Sequence, residues 1–213
     1  MKILSVSDIE LNLIYSPQIV DRFNQVDLII SCGDLPYYYL EYMISMLDKP
    51  LFFVRGNHAP PVEHGATWER HYPLGGKNLH GKCARTSHGL LLAGVEGCLR
   101  YNTGPHQYSQ REMWTHVFKL VPRLFLNRMI YGRYLDFFIT HAPAWKIHDD
   151  DDRPHQGIKA FRWLDTVFKP AYHLHGHVHI YRQDAIKLTF LGSTKIINTY
   201  GYQVTDYLIP TRT

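Results

Sequence analysis

Along the first quarter of the chain, short apolar runs alternate with segments whose apolar positions recur every three or four residues. Lys2–Val6 (KILSV), Asp27–Ile30 (DLII) and Leu51–Val54 (LFFV) are short and almost wholly apolar, so they read as buried strands. Pro17–Phe23 and Tyr38–Leu47 read as the helices that connect them, giving a β-α-β-α-β opening. Parallel strands joined in this way place ligand sites at their carboxyl ends. Further strands are expected at Leu90–Val95, Phe137–Thr140 and Tyr172–His175. From Val178 to about Leu208 the pattern alternates, as in Lys187–Leu191 and Thr194–Thr199, and suggests antiparallel strands.

Two segments break the alternation. Ala59–Gly81 is rich in Gly, Pro and His and reads as loop. Gln107–Arg133 carries Trp114, Val117, Phe118, Val121, Leu124 and Phe125 at helical spacing, with Pro122 expected to kink or divide it. Such a helix packs on its own domain, caps a site, lies on a membrane surface or offers a partner face through which the chain forms an oligomer. The whole of residues 1–213 is expected to be one domain, with a cap-like helical insertion at about 105–133.

Composition narrows the class. The 213 residues are 45% hydrophobic and 20% charged, which fits a globular chain and excludes a disordered or fibrous one. A net charge of +4 without a Lys/Arg block argues against a dedicated nucleic-acid groove and suits a small anionic substrate. Three scattered cysteines without a CxxC pair argue against a disulfide framework. The absence of a signal-like start or of a long apolar run leads to the expectation of a cytoplasmic, not transmembrane, protein. Histidine is the outlier, at 14 residues, and His173–His179 reads HLHGHVH.

Residues able to bind metals follow each expected strand: Asp8, Asp34, Asn57 with His58, His141, and His177 with His179. Any one of them alone reads better as a helix cap or a hydrogen-bonded surface or core residue. Recurrence at one end of successive strands points instead to a shared site. The mixture of carboxylates, imidazoles and an amide oxygen suits Mn, Fe or Zn rather than a thiolate-type structural zinc. Gly33, Gly56 and Gly176 each precede a candidate ligand, where the chain must turn sharply or approach an ion closely.

The ordered motifs DIE, GD, GNHA, THAP and GHVH, spanning residues 8 to 179, resemble those of the calcineurin-like metallophosphoesterases. That family runs D-x-H, G-D, G-N-H-[D/E], a lone His, and G-H-x-H. The resemblance implies an α/β fold whose central β-sandwich of two mixed sheets is flanked by helices. It also implies two divalent metal ions, Mn foremost with Fe, Zn or Mg as alternatives. By position, Asp8, Glu10, Asp34 and His179 would hold one metal, and Asp34, Asn57, His141 and His177 the other. Asp34 would bridge the pair, and a hydroxide shared by the metals would attack the phosphate. His58 would sit beside the phosphate and serve the departing oxygen, so His58 and Asp34 carry the catalytic assignment. Around them, Arg55, Asn57, His58, Arg100 and His155 are the candidate substrate contacts, although surface roles for Arg55 and Arg100 stay open.

Two positions depart from the family pattern. Glu10 stands where the family has His; it either ligates through oxygen, favouring harder ions, or points away. Ala59 stands where an acidic residue often follows GNH, which leaves His58 without a local carboxylate. The loop after His141, from Trp145 to Gly157, carries His148, Asp149, Asp152 and His155 as groups able to reach the site; its four consecutive aspartates also fit a solvated loop. The expected activity is metal-dependent hydrolysis of a phosphate mono- or diester, with a small nucleotide-type diester preferred. The alternative is a scaffold that keeps the fold, has lost catalysis and binds protein partners.

Overall fold

The structure is a computed structural model that describes residues 1–64, 67–181 and 186–210. Residues 65–66, in the expected loop, 182–185, in the expected strand-rich tail, and 211–213, at the end of the expected domain, lie outside the described residues. In chain order the first elements are β1 (Lys2–Ser7), α1 (Gln18–Phe23), β2 (Leu28–Ser31), α2 (Tyr37–Leu47) and β3 (Leu51–Phe53). Then come β4 (Glu63–His64), β5 (Glu69–Arg70), β6 (Gly76–Asn78), β7 (Lys82–Arg85), β8 (Leu91–Val95), β9 (Cys98–Leu99) and β10 (Gln107–Tyr108). The remainder is α3 (Gln110–Tyr131), β11 (Phe137–Thr140), α4 (Lys159–Phe168), β12 (Tyr172–His175), β13 (Leu188–Leu191), β14 (Thr194–Asn198) and β15 (Gly201–Asp206).

Two large mixed sheets form the body, in the orders β15-β1-β2-β3-β6 and β13-β14-β12-β11-β8-β7. Their central strands, β1, β2, β3, β8, β11 and β12, are buried on both faces, and successive side chains alternate between two cores. Ile3, Leu28, Ile30, Phe52 and Val54 of one sheet meet Leu92, Phe137, Ile139 and Leu174 of the other between the sheets. The opposite faces lie under helices. Leu4, Val6, Ile29 and Phe53 pack with Ile19, Phe23, Tyr39 and Met43 of α1 and α2. Leu91, Ala93 and Phe138 pack with Met113, Val117, Leu120 and Leu124 of α3 and Phe161 and Leu164 of α4. Each such fully buried aliphatic side chain contributes roughly 1.5–3 kcal/mol. The expected sandwich flanked by helices is therefore the observed fold.

Several local expectations are corrected. Gly76–Asn78, expected as loop, pairs in parallel with β3 as an edge strand. An edge strand needs only backbone pairing, so GKN carries no apolar signature. Pro122 does not divide α3, which runs unbroken for 22 residues. Its ring is exposed, so the carbonyl it leaves without a donor faces water, and the packed opposite face holds the helix together. The helix starts with a Ser109–Glu112 capping box and ends at Gly132, and its Met113, Val117, Leu120 and Leu124 pack into the helix-covered core. The tail is not uniformly antiparallel. β13 and β15 are antiparallel to β14 and β1 respectively, but β14 runs parallel to β12.

Under α3 and α4 lies a buried polar chain. Thr140 Oγ1 donates to the Ala142 carbonyl (2.7 Å), so it accepts from His173 Nε2 (2.8 Å). His173 Nδ1 and Asp165 Oδ2, 2.7 Å apart, then share the remaining proton, and burial raises the Asp165 carboxyl against the opposing pull of His173. Asp165→Ala is expected to cost about 3 kcal/mol in urea unfolding, because the His173 proton loses its buried partner.

Candidate active site

The carboxyl ends of β1, β2 and β3 and of β11 and β12 meet at one rim, and backbone bonds lace the loops that leave them. Asp8 N–H donates to Gly33 O (3.2 Å), Gly97 N–H to Arg55 O (2.9 Å), Ala142 N–H to Gly97 O (3.3 Å) and Gly176 N–H to His141 O (3.0 Å). One side-chain clamp reinforces the lacing across the sheets. Arg55 Nε donates to the buried Glu96 carboxylate (3.1 Å), which also accepts from the Tyr108 hydroxyl (2.9 Å).

Four donor atoms converge at this rim. His141 Nε2 lies 3.1 Å from Asp34 Oδ2, 3.0 Å from Asn57 Oδ1 and 3.1 Å from His177 Nδ1. Backbone carbonyls fix the tautomers, since a carbonyl can only accept. His141 Nδ1 donates to Cys32 O (2.8 Å), and His177 Nε2 donates to Pro154 O (2.7 Å). The facing atoms, His141 Nε2 and His177 Nδ1, are therefore lone pairs in the neutral rings. Two lone pairs, an amide oxygen and a carboxylate oxygen around one point are a donor set that could hold a cation. Asn57 is oriented in turn, because its Nδ2 donates to Tyr101 Oη (3.1 Å). Among the described residues, Asp34, His141 and His177 are the cluster of three or more metal-binding side chains.

The electrostatics agree. Burial alone would lower the His141 imidazole, but Asp34 and Asp8 outweigh it and raise it to about 9. Burial alone would raise the Asp34 carboxyl, but His141 holds it at about 2. The Asp8 carboxyl is raised by its burial, and His177 is lowered to about 3, mainly by burial and then by His141. A divalent cation would take over the role that a proton on His141 plays without it.

The backbone is shaped to hold these groups. Asp8, Asp34 and His177 adopt left-handed conformations (φ 66°, 55° and 70°), which cost non-glycine residues roughly 1–2 kcal/mol each. Gly56 and Gly176 wall the two carboxylates. A Cβ on Gly56 would sit 2.0 Å from Asp34 Oδ1, and one on Gly176 2.4 Å from Asp8 Oδ2.

The other sequence candidates fall into two groups. Asp34, Asn57, His58, His155, His177 and His179 line one cavity of about 220 Å³, together with Tyr101 and Pro154. His58 is anchored through its backbone N–H to Asp34 Oδ1 (2.8 Å). Asp8 lies just behind, accepting the His177 N–H on both carboxylate oxygens (3.0 and 3.1 Å). His155 Nδ1 pairs with Asp152 (2.8 Å), so the loop after His141 brings a histidine that has its own carboxylate. Glu10, by contrast, is exposed and accepts a 2.5 Å bond from the Tyr38 hydroxyl. Arg55 lines a separate cavity of about 460 Å³, and Arg100 lines one of about 270 Å³, paired with Glu112 at 3.1 Å. Tyr101 lies in the turn Arg100-Tyr101-Asn102, which the sequence leaves open as a substrate contact or a plain surface turn, and it lines the cavity of about 220 Å³.

The HLHGHVH run divides. His173 faces the helix-covered core and bonds Thr140 and Asp165. His175 Nδ1 donates to Gly176 O (3.0 Å), so its Nε2 accepts from His148 Nδ1 (2.9 Å), whose Nε2 accepts from the Thr189 hydroxyl (2.8 Å). Burial lowers both rings, His148 to about 4 and His175 well below the ordinary imidazole value, so both stay neutral. His148 thus turns away from the cavity that His155 enters.

The calcineurin-like phosphoesterase family model matches residues 1–181. The chain belongs to that family, whose members are in general metal-dependent phosphoesterases. TT1561 of Thermus thermophilus is similar in structure, with a TM-score of 0.62, 17% identity, and 94% of this chain and 89% of that chain covered. Another solved structure covers 95% of this chain and 93% of its own, with a TM-score of 0.65 and 15% identity. A Vps29 mutant from Entamoeba histolytica matches with a TM-score of 0.42 and 12% identity, over 94% of this chain and 74% of that one. At these identities the likeness to TT1561 shows the fold alone. No curated protein sequence matches the chain significantly. Among the described residues no helix is long and apolar enough to cross a membrane.

The Glu96 clamp yields a pH prediction. Burial would raise its carboxyl, but the His106 imidazole, His80 and Arg55 hold it at about 2, below the ordinary 4.5. A carboxyl lowered by folding contributes stability that is full above its unfolded pKa and is lost as pH falls through the folded one. Stability is therefore expected to fall between about pH 4.5 and pH 2. Urea unfolding across that range should show a shallower fall for Glu96→Gln.

Proposed function

We propose that the rim cavity hydrolyses a small phosphate ester, mono- or diester, with divalent cations of which Mn²⁺ is the first candidate. The observation that carries this reading is the set of four facing donors, Asp34, Asn57, His141 and His177, whose two imidazole protons are both directed away onto carbonyls. Those residues would hold one cation. Asp8, Asp34 and His179 would contribute to a second, and Glu10 would join it by leaving Tyr38. Such ions, when bound, acidify water and neutralise charge on phosphoryl oxygens.

The side chains of this protein have separable tasks in that reaction. Tyr101 Oη accepts from Asn57, which leaves its own proton to donate to a phosphoryl oxygen. His58, beside Asp34 and lining the cavity, holds a proton for the departing oxygen. His155 is fixed by Asp152 with Nε2 as an acceptor, suited to orienting a hydroxyl or a water. A cavity of about 220 Å³ suits a phosphoryl group with a compact substituent, and a nucleotide-type ester is the preferred class. The rival reading, a non-catalytic scaffold, draws on Glu10 standing apart from the other ligands; against it stands the intact four-donor set.

Purified protein assayed with p-nitrophenyl phosphate and bis-p-nitrophenyl phosphate is expected to be stimulated by Mn²⁺, and His141→Ala to lose both metal and activity. His58→Ala should retain metal and lose roughly 10²–10⁴-fold in kcat. Hydrolysis that no divalent ion stimulates, with metal content unchanged in His141→Ala, would overturn the proposal. Glu10→His should raise metal stoichiometry or shift metal preference; no change in either would remove Glu10 from the ligand set.

A further inference from the structure

Beside the catalytic cavity lies a second cavity of about 270 Å³, lined by Arg100, Tyr108, Ser109, Gln110, Arg153 and Gln156 among others. The two share their walls. Arg100 faces one and its neighbour Tyr101 the other; Arg153 and Gln156 face one, and the intervening Pro154 and His155 the other. Chain neighbours therefore line the two cavities on both sides.

The lining of this second cavity holds two guanidiniums, of Arg100 and Arg153, and no carboxylate. Arg100 is matched by Glu112, which accepts from it at 3.1 Å and is also held by the backbone N–H and hydroxyl of Ser109 (both 2.7 Å). Arg153 is exposed, and among the described residues no carboxylate pairs with it. Of the four aspartates before it, Asp151 is exposed, Asp150 Oδ1 accepts from the Asp151 backbone (3.2 Å), and none of the four lines the cavity. Asp152 holds His155, and Asp149 Oδ2 accepts from the Lys146 and Gly157 backbones (2.9 and 3.1 Å). Gln156 is exposed and adds a neutral amide donor, whereas the Gln110 amide is tied to Gly157 O (3.0 Å). A guanidinium free of partners beside a phosphoryl-sized cavity is a fork for phosphate oxygens.

We propose that this second cavity is a subsite for an additional phosphate on the substrate, read chiefly by Arg153 and assisted by Arg100 and Gln156. The protein would then prefer bisphosphorylated small molecules, such as nucleoside bisphosphates, over their monophosphate counterparts. This inference rests on the phosphoesterase reading for its kinetic form, but not for its binding form. The loop that carries Arg153 also supplies the Pro154 carbonyl that holds His177, so a change there affects every substrate to some degree; the ratio between two substrates isolates the subsite.

The test compares adenosine 3′,5′-bisphosphate with adenosine 5′-monophosphate, following phosphate release in Mn²⁺. The wild type is expected to favour the bisphosphate in kcat/KM by about tenfold or more, the range of one or two charge-assisted hydrogen bonds. Arg153→Ala should bring that ratio close to one, and Arg153→Lys should restore part of it. A wild-type ratio near one, or a ratio that survives Arg153→Ala, would overturn the proposal. If neither nucleotide is hydrolysed with any divalent ion, calorimetry with the same two probes decides the subsite, and the hydrolytic reading is judged separately by the p-nitrophenyl esters. A bisphosphate preference in binding that Arg153→Ala removes supports it; equal binding of the two probes by the wild type overturns it.

Discussion

The candidate site depends on how two imidazole protons are directed. His141 sits at the end of β11 in one sheet, and its Nδ1–H reaches the carbonyl of Cys32 beyond β2 in the other sheet. That bond turns Nε2 toward Asp34, Asn57 and His177. The same device, with Pro154 as the acceptor, turns His177 Nδ1 inward. Because the His141 bond spans the sandwich, the direction of a ligand lone pair depends on how the two sheets dock. The core between them, Ile30, Val54, Ile139 and Leu174 among others, therefore sets the geometry of the site as well as contributing stability. The left-handed backbone at Asp8, Asp34 and His177 is tolerated because the interloop bonds and tight glycine walls leave few alternatives.

Histidine abundance has two physical explanations in this chain. His141 and His177 face the four-donor cluster at the rim. His173, His175 and His148 instead bridge a core that contains several polar groups, and they stay satisfied through Thr140, Asp165, Gly176 and Thr189. The division of HLHGHVH follows from strand geometry. His173 and His175 share the helix-covered face of β12 at period two, and after Gly176 the chain turns, so that His177 and His179 reach the rim.

Much of this was legible in the sequence, because uniformly apolar runs separated by helical spacing specify buried parallel strands. The strand ends then localise Asp8, Asp34, Asn57, His141 and His177 without further information. What was illegible lacks a periodic or chemical signature. The GKN edge strand is specified by backbone pairing, and the continuity of α3 through Pro122 depends on the ring facing water. The α4 spacing of Ala160, Phe161, Leu164 and Phe168 was available as a signal but lay behind the aspartate run. The partners of side chains were the least legible layer. Nothing local announces that Arg55 turns to Glu96, that Glu10 meets Tyr38, or that Tyr101 orients Asn57. Arg55–Glu96 and Asn57–Tyr101 join loops that the docked sheets bring together, and Glu10–Tyr38 joins the loop after β1 to α2 on one sheet.

The central claim is that the four donors around His141 Nε2 form a divalent-cation site. Anomalous diffraction from crystals soaked in Mn²⁺ tests it most directly. The account predicts an anomalous peak bonded to Asp34, Asn57, His141 Nε2 and His177 Nδ1, with the carbonyl bonds of Cys32 and Pro154 intact. A fully soaked crystal with no peak at that point, or with the ion bound only by other residues, would contradict it.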